Sequence, residues 1–468
     1  MKSPTAFDIR VPTVCRQPAQ WVLHWIFGEV LGLAATVNAY AGDHVEIRYR
    51  DRVLTVENDF FRRHQPQSQS QSILRQADTL LIDAPRHWID ARTTLNANLL
   101  EASLPVLWGR PGLARTAHGD AHLSLDVVGS IFFMLSRYEE VSRPDRDQYD
   151  RFPAAASLAV QRGFLQRPIV DEYIEVLWAA MGAVWPGLAR RPAAGRMRVS
   201  CDVDEPYERW IRTPWLLAQG VAGALLRKRS PAGAVARLKN AWYSRHGDYR
   251  FDPHWTFPWY MGQLESNGCQ GTFYLIATPG RTRYDCRYAL EEPRMQALLQ
   301  TISARGHEIG LHGSFKTFRD GALVARERQR LIAACRQAGA NAQVTGNRQH
   351  YLRWDAGQTA DHLDAAGFHY DASGGFPYDP GFRYGTTREF PMWSWIKQGP
   401  LRLRQRPLML MENAVLSGAD GAQPDATLEA MTRLKRAALR YGDFNLLWHN
   451  SRFTEPGDAV LFRQILAA

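Results

Sequence analysis

The segment SCDVDEP places Asp202 and Asp204 two positions apart. Two carboxylates at that spacing, just past a strand, can divide the work of one site. One holds a cation while the other stays free as a base. A plain turn or helix start uses the same pair, because Asp is common there. His312, in GHEIGLHGS, is a candidate ligand, and His307 lies five residues before it. Side chains alternate along a strand, so these two histidines point to opposite faces and only one enters a shared site. Arg348 stands in GNRQHYLRW. An arginine beside an aspartate fixes the carboxylate and favours its charged form. His350 follows two residues later and is expected behind the site rather than in it. His449, in NLLWHNS, is suited to protonate a leaving amine. Each of these residues taken alone is more often a structural or surface group.

What unites them is where they fall. From residue 196 the chain alternates strand and helix patterns: strands at 196–201, 271–276, 308–311, from 344, 368–370 and 444–448, and helices at 293–304, 321–337, 361–366 and 425–440. That order predicts a parallel α/β sheet or barrel, whose chemistry sits at the C-terminal ends of strands. Asp202, Asp204, His312, Arg348 and His449 all stand where a predicted strand ends. The first region is a smaller α/β unit. Strands are expected at 44–48, 80–82 and 104–106 and helices from 126 and over 170–185, with 21–40 read as an amphipathic core helix. Pro66–Ser72 (PQSQSQS) reads as a polar loop. A Pro/Gly/Arg stretch near 189–196 separates the regions, giving domains 1–192 and 193–468.

Composition narrows the class. The 468 residues suffice for two to three domains with a sizeable core. The formal charge is +10, but the basic residues are scattered and no window joins them to a nucleic-acid motif, so no nucleic-acid partner is expected. Five cysteines without a CxxC pair give neither a disulfide framework nor a zinc ribbon, and fit a reducing compartment. The N-terminus shows no apolar segment with a cleavage site, and no run of apolar residues is long enough to span a bilayer. A cytoplasmic location is the expectation.

In this order, SCDVD, GTFYLI, GHEIGLH, NRQHYLRW, YDASGG and NLLWHNS resemble the motifs of NodB-homology polysaccharide deacetylases, also called carbohydrate esterase family 4, over about residues 196–455. The front region, with LDVVGSIFFMLSRYEEV and RGFLQRPIVDEY, is similar to the uncharacterised domain that precedes such a deacetylase in a subgroup of bacterial proteins. The resemblance implies a distorted (β/α) barrel and a divalent metal, zinc being expected. It implies Asp202 as base, Asp204 and His312 as metal ligands, Arg348 as the group that steadies the base, and His449 as general acid. Asp371 and Trp393 fall near a further motif, and with Tyr351 are expected to bind substrate. Trp255, Trp259, Trp354 and Trp395 are further candidates for a sugar groove.

The chain departs from that family at one point. The second metal histidine, four residues after the first, is replaced by Lys316. A protonated lysine cannot ligate a metal, and its charge repels one. The third contact then falls to another group, Ser314, His350 or water, or binding is weak, or hydrolysis is lost. The expected activity is removal of N-acetyl groups from amino sugars of a bacterial polysaccharide or its lipid-linked precursor, by hydrolysis of a linear amide. The alternatives are a non-catalytic glycan-binding or assembly protein, favoured by Lys316, and a hydrolase of a cyclic amide or O-acyl ester. Trp215–Lys228 (WLLAQGVAGALLRK) is either an ordinary insertion helix or a contact with a membrane interface.

Overall fold

The strand patterns after residue 196 resolve into one sheet in the computed structural model, which describes residues 6–64, 86–280, 282–416, 424–453 and 456–468. Its nine strands lie in the order Phe390–Ser394, Gly399–Gln405, Tyr370–Asp371, Gly346–Gln349, Glu308–Gly313, Gly271–Leu275, Met197–Val203, Phe444–Leu447 and Leu410–Met411. All pairings are parallel except the first, between Phe390–Ser394 and Gly399–Gln405. Parallel strands are covered on both faces and so read as nearly continuous apolar runs. Gly271–Leu275 (GTFYL) is buried at every position, and Met197–Val203 at its last five.

Helices return the chain between these strands. Pro293–Ala304 begins with Pro at its first turn, where the missing N–H costs nothing. Gly321–Gln337 begins at Asp320, whose side chain accepts from Leu323 N at 2.8 Å. The expected distorted barrel is seen in part, as a parallel-rich α/β sheet. Among the described residues the strands form an open row with Phe390–Ser394 and Leu410–Met411 at its edges, and no pairing closes it.

The first region is built on a mixed six-stranded sheet in the order Ala35–Tyr40, Phe7–Pro12, Val45–Tyr49, Arg52–Val56, Ala121–Leu125 and Gly109–Arg115. Helices Val127–Leu135 and Ile169–Val184 pack in its core. The single helix read over 21–40 is instead a helix, Arg16–His24, a π-helical stretch, Trp25–Leu31, and a strand, Ala35–Tyr40. Gly32, at φ 70°, makes the left-handed break between them. The helix from 126 likewise stops at Leu135 and restarts at Tyr138, because Arg137 lies at φ 53°. The polar loop at Pro66–Ser72 and the strand at 80–82 lie outside the described residues.

The two regions share a core. Phe376, Tyr384, Phe390, Trp393 and Trp395 pack into the hydrophobic cluster of the first region. At the same junction Arg137 binds Glu139 and Glu140, both at 2.7 Å, and Arg383 binds Glu140 at 2.8 Å. All four charged groups are buried. Arg137 Nη1 also donates to the Arg383 carbonyl at 2.5 Å, so this cluster is hydrogen-bonded as well as paired.

Candidate active site

Seven functional groups arrive at one end of the sheet because five of its strands end there. Met197–Val203 delivers Asp202 and, just beyond, Asp204. Glu308–Gly313 delivers His312, and Gly346–Gln349 delivers Arg348 and then His350. Phe444–Leu447 leads to His449, and Leu410–Met411 leads to Glu412. This is the carboxyl edge of a parallel sheet, where side chains from separate strands can meet over one opening. Asp202, Asp204, His312, His350 and His449 all line one pocket of about 880 Å³.

Asp202 is buried and tethered on one side only. Its Oδ1 accepts from Arg348 Nη1 at 2.9 Å, while Oδ2 lies 3.7 Å from His312 Nε2. Arg348 is itself fixed by bonds to Ser200 Oγ (2.8 Å) and to the Ala372 carbonyl (2.9 Å), and it stacks over Tyr274. Burial works against its charge, but Asp202 outweighs this and holds the guanidinium above its ordinary range.

Asp204, His312 and His350 form the tightest cluster. Asp204 Oδ1 lies 3.3 Å from His312 Nε2 and 3.5 Å from His350 Nε2. One ligand atom from each of the three falls within 4.8 Å of the others. His312 Nδ1 lies 2.9 Å from the Arg348 carbonyl, which requires the proton on Nδ1 and leaves the Nε2 lone pair facing Asp204. His350 Nδ1 lies 3.6 Å from Asp285 Oδ1. Asp285 is in turn held by Phe315 N (2.7 Å) and Thr282 Oγ1 (2.8 Å). Burial disfavours charge on His350, yet Asp204 and then Asp285 raise its pKa to about 9. Asp204 is also penalised by burial, and His350 and His312 bring it well below the carboxylate range.

The test of whether this trio suits a cation lies in one atom. Asp204 Oδ1 is buried and has no hydrogen-bond partner among the described residues. A buried acceptor left unmade is costly, and a cation between one carboxylate and two imidazole nitrogens would satisfy it. Two His and one carboxylate, with space beside them, is a ligand set of catalytic zinc sites. The residues fit the group.

His449 faces this cluster from another strand. Its Nδ1 is 2.6 Å from Glu412 Oε1 and its Nε2 3.6 Å from Asp204 Oδ2. Burial lowers the affinity of the ring for a proton, but the fully buried Glu412 outweighs this and lifts its pKa to about 9. A charged imidazole aimed into a pocket is a proton donor.

Tyr351 lines the pocket as well. It and Leu352 lie at φ 61° and 52°, a left-handed region that side chains rarely occupy and that concentrates at functional sites. The first region helps to hold that turn: Arg151 Nη1 donates to the Tyr351 carbonyl at 2.9 Å, and Arg151 also lines the pocket. With Arg209, Arg212, Arg283, Arg287 and Arg452, it gives the pocket wall six arginines against the four carboxylates of Asp202, Asp204, Glu205 and Asp285.

Other expected site residues stand elsewhere. Asp371 is fully buried and accepts from Asn347 Nδ2 (2.9 Å) and from Ser373 N and Oγ (2.8 and 2.7 Å), so it braces strand ends rather than touching the pocket. Trp393 packs against Trp21 and Phe132 in the core between the regions. Trp395 donates to the Ser136 carbonyl there, and Trp255, Trp259 and Trp354 also lie outside the pocket lining. Ser314 is bound to Glu327, at 2.5 Å through Oγ. His307 accepts from Gly271 N, away from the site. Lys316 is exposed and does not line the pocket, so its charge does not face the cluster. His350, read as a group behind the site or as one candidate for the third metal contact, lies in the site. Asp285 and Glu412 were not anticipated. Glu412 carries a faint signal, an acidic residue ending the apolar run PLMLM.

Residues 8–186 match a family of unknown function (DUF7033). No curated protein matches the chain. Among solved structures it is similar to one described as a polysaccharide deacetylase from Mycobacterium smegmatis, with 18% identity and a TM-score of 0.38, over 60% of this chain and 85% of that one. It is also similar to the Puue allantoinase, with 14% identity and a TM-score of 0.34, over 60% and 85%. A protein from Pseudomonas aeruginosa PAO1, also described as a polysaccharide deacetylase, gives 14% and 0.34 over 59% and 84%. At such likeness the chemistry of this chain rests on its own residues.

Proposed function

We propose that this chain is a metal-dependent hydrolase that removes N-acetyl groups from amino sugars of a polysaccharide or its lipid-linked precursor. One observation carries the reading. The unsatisfied Asp204 carboxylate, with two imidazole nitrogens beside it, stands between an arginine-tethered aspartate and a carboxylate-held histidine, all on one pocket.

Asp204, His312 and His350 would hold a divalent cation, which supplies Lewis acidity toward water and a substrate carbonyl. Asp202 accepts the proton of the attacking water through Oδ2, the oxygen that Arg348 leaves free. Arg348 sets the direction of that carboxylate. His449 gives its Nε2 proton to the departing amine, and Glu412 holds the ring so that this proton points into the pocket. Tyr351 and Tyr284 offer aromatic faces on the pocket wall for a sugar ring. The six arginines of that wall favour a substrate that carries negative charge.

The reading is tested by measuring bound metal and acetate release from N-acetylated oligosaccharides, with zinc, cobalt or manganese added. About one metal per chain and acetate release are expected, and His350→Ala is expected to lose both. A folded protein that binds no metal and releases no acetate would sink it. Release from O-acetyl esters or cyclic ureides alone would move the activity to another carbonyl substrate.

A further inference from the structure

The helical hairpin made by Pro214–Leu226 and Pro231–Arg245 is unlike the rest of the surface. Twelve large hydrophobic side chains are exposed among the described residues, and seven of them lie between 215 and 243: Trp215, Leu225, Leu226, Val235, Leu238, Trp242 and Tyr243. They fall in stripes. Trp215, Ala218, Ala222 and Leu225 are spaced i, i+3, i+7 and i+10 on the first helix, and all are exposed. Val235, Leu238 and Trp242 follow the same rule on the second. The helices are held to each other and to the body by their opposite sides, where Gly220 lies against the Trp210 ring and Ala224, Ala234 and Ala241 are buried.

The charge of this segment is equally one-sided. Residues 209–247 contain eight Arg or Lys and no Asp or Glu, and Arg227, Lys228 and Arg229 cluster at the exposed tip between the helices. A second copy of the chain would meet this face with the same positive charge, which opposes self-association. A nucleic acid would leave the aliphatic side chains against water. An anionic phospholipid surface satisfies both features: Trp, Leu and Val enter the boundary of headgroup and acyl chain, and the basic residues meet the phosphates.

We infer that the hairpin 214–245 docks the protein on an anionic phospholipid bilayer. No helix among the described residues is long and apolar enough to cross a membrane, so the contact is with the surface. The root of the hairpin, Arg209, Arg212 and Leu216, forms part of the pocket wall. Docking therefore brings the pocket toward the lipid surface, and, resting on the function proposed above, selects a lipid-linked sugar over a free one.

The test is co-sedimentation of the full chain with phosphatidylcholine vesicles and with vesicles that also contain phosphatidylglycerol. Binding to the anionic vesicles is expected, with little to the neutral ones. Arg227→Gln, Lys228→Gln and Arg229→Gln together should weaken it roughly a hundredfold, as removal of three surface cations predicts. Trp215→Ser, Leu226→Ser and Trp242→Ser together should abolish it while metal content stays unchanged. These exposed positions do not support the core, and circular dichroism checks the fold. No binding to either vesicle overturns the inference, as does binding that both triple variants retain. So does a dimer that the second variant dissolves, or RNA capture that the first abolishes. These readouts need no catalysis, so they stand or fall apart from the hydrolase reading.

Discussion

Two buried charge clusters in this protein are built to opposite ends. At the junction of the two regions, Arg137, Glu139, Glu140 and Arg383 close on one another, and Arg137 also takes up the carbonyl of Arg383. At the sheet edge, Asp204, His312 and His350 stand as near together, yet Asp204 Oδ1 is left without a hydrogen bond and faces a pocket. The junction cluster compensates its charges within the fold, and removing one member strands the others. The site cluster has an acceptor still to fill, which is what a ligand needs. The difference teaches that buried charge alone does not mark function. An incomplete hydrogen-bond inventory beside open space marks it better.

The comparison is tested most severely at Asp202. Asp202→Asn should lower acetate release by about a hundredfold to ten-thousandfold while bound metal is unchanged. Metal analysis and kinetics on the same sample check this, and retained turnover would remove Asp202 as the base. Arg383→Ala should act on stability instead, costing about 3–5 kcal/mol in denaturant unfolding because the buried Glu140 loses one of its two arginine partners and keeps only Arg137. Metal binding by the fraction that remains folded should not change. Glu140 also gives the junction an acid sensitivity. Burial opposes its charge, but Arg383 and Arg137 outweigh that and set its pKa at about 2, against an ordinary 4.5. Its contribution is then complete above pH 4.5 and is lost as pH falls toward 2. Unfolding titrations of the wild type and Glu140→Gln should differ in slope across that interval.

Smaller effects separate the site from its surroundings. Asp285→Asn should weaken metal binding by about tenfold to a hundredfold, since it loosens His350 without removing a ligand. Isothermal titration with zinc measures this, and an unchanged affinity would detach Asp285 from the site. Lys316→Ala should leave metal affinity where it was, because the side chain is exposed and outside the pocket. A gain in affinity there would return the lysine to the cluster.

The parts of this arrangement that were legible in the sequence are local ones. A strand that runs out at Asp202, His312 or His449 can be read from a few neighbouring residues, and helices 293–304 and 321–337 have the bounds their periodicity gives. Sheet closure is not local, so strand spacing does not say whether the row of strands closes, and among the described residues no pairing closes it. His350 is legible only as one of three alternatives for the third contact, and the left-handed turn that follows it at Tyr351 is not revealed by side-chain spacing. Asp285 and Glu412 reach their histidines from distant loops and strands, so no spacing announces them. Trp393 has the chemistry of a sugar platform, but its neighbours Trp21 and Phe132 lie in the other region, and burial there decides its role.

The aromatic side chains that the second region sends into the core of the first, with Arg151 returning to hold the turn at Tyr351, bear on how the chain can be handled as genetic material. The Pro/Gly/Arg stretch near residue 190 looks like a seam at which a gene could be cut. A fragment that starts there would carry Phe376, Tyr384, Phe390, Trp393 and Trp395 with nothing to cover them, and its pocket would lack one wall support. The two halves are not interchangeable cassettes. Recombination that swaps either one has to bring a matched partner surface with it.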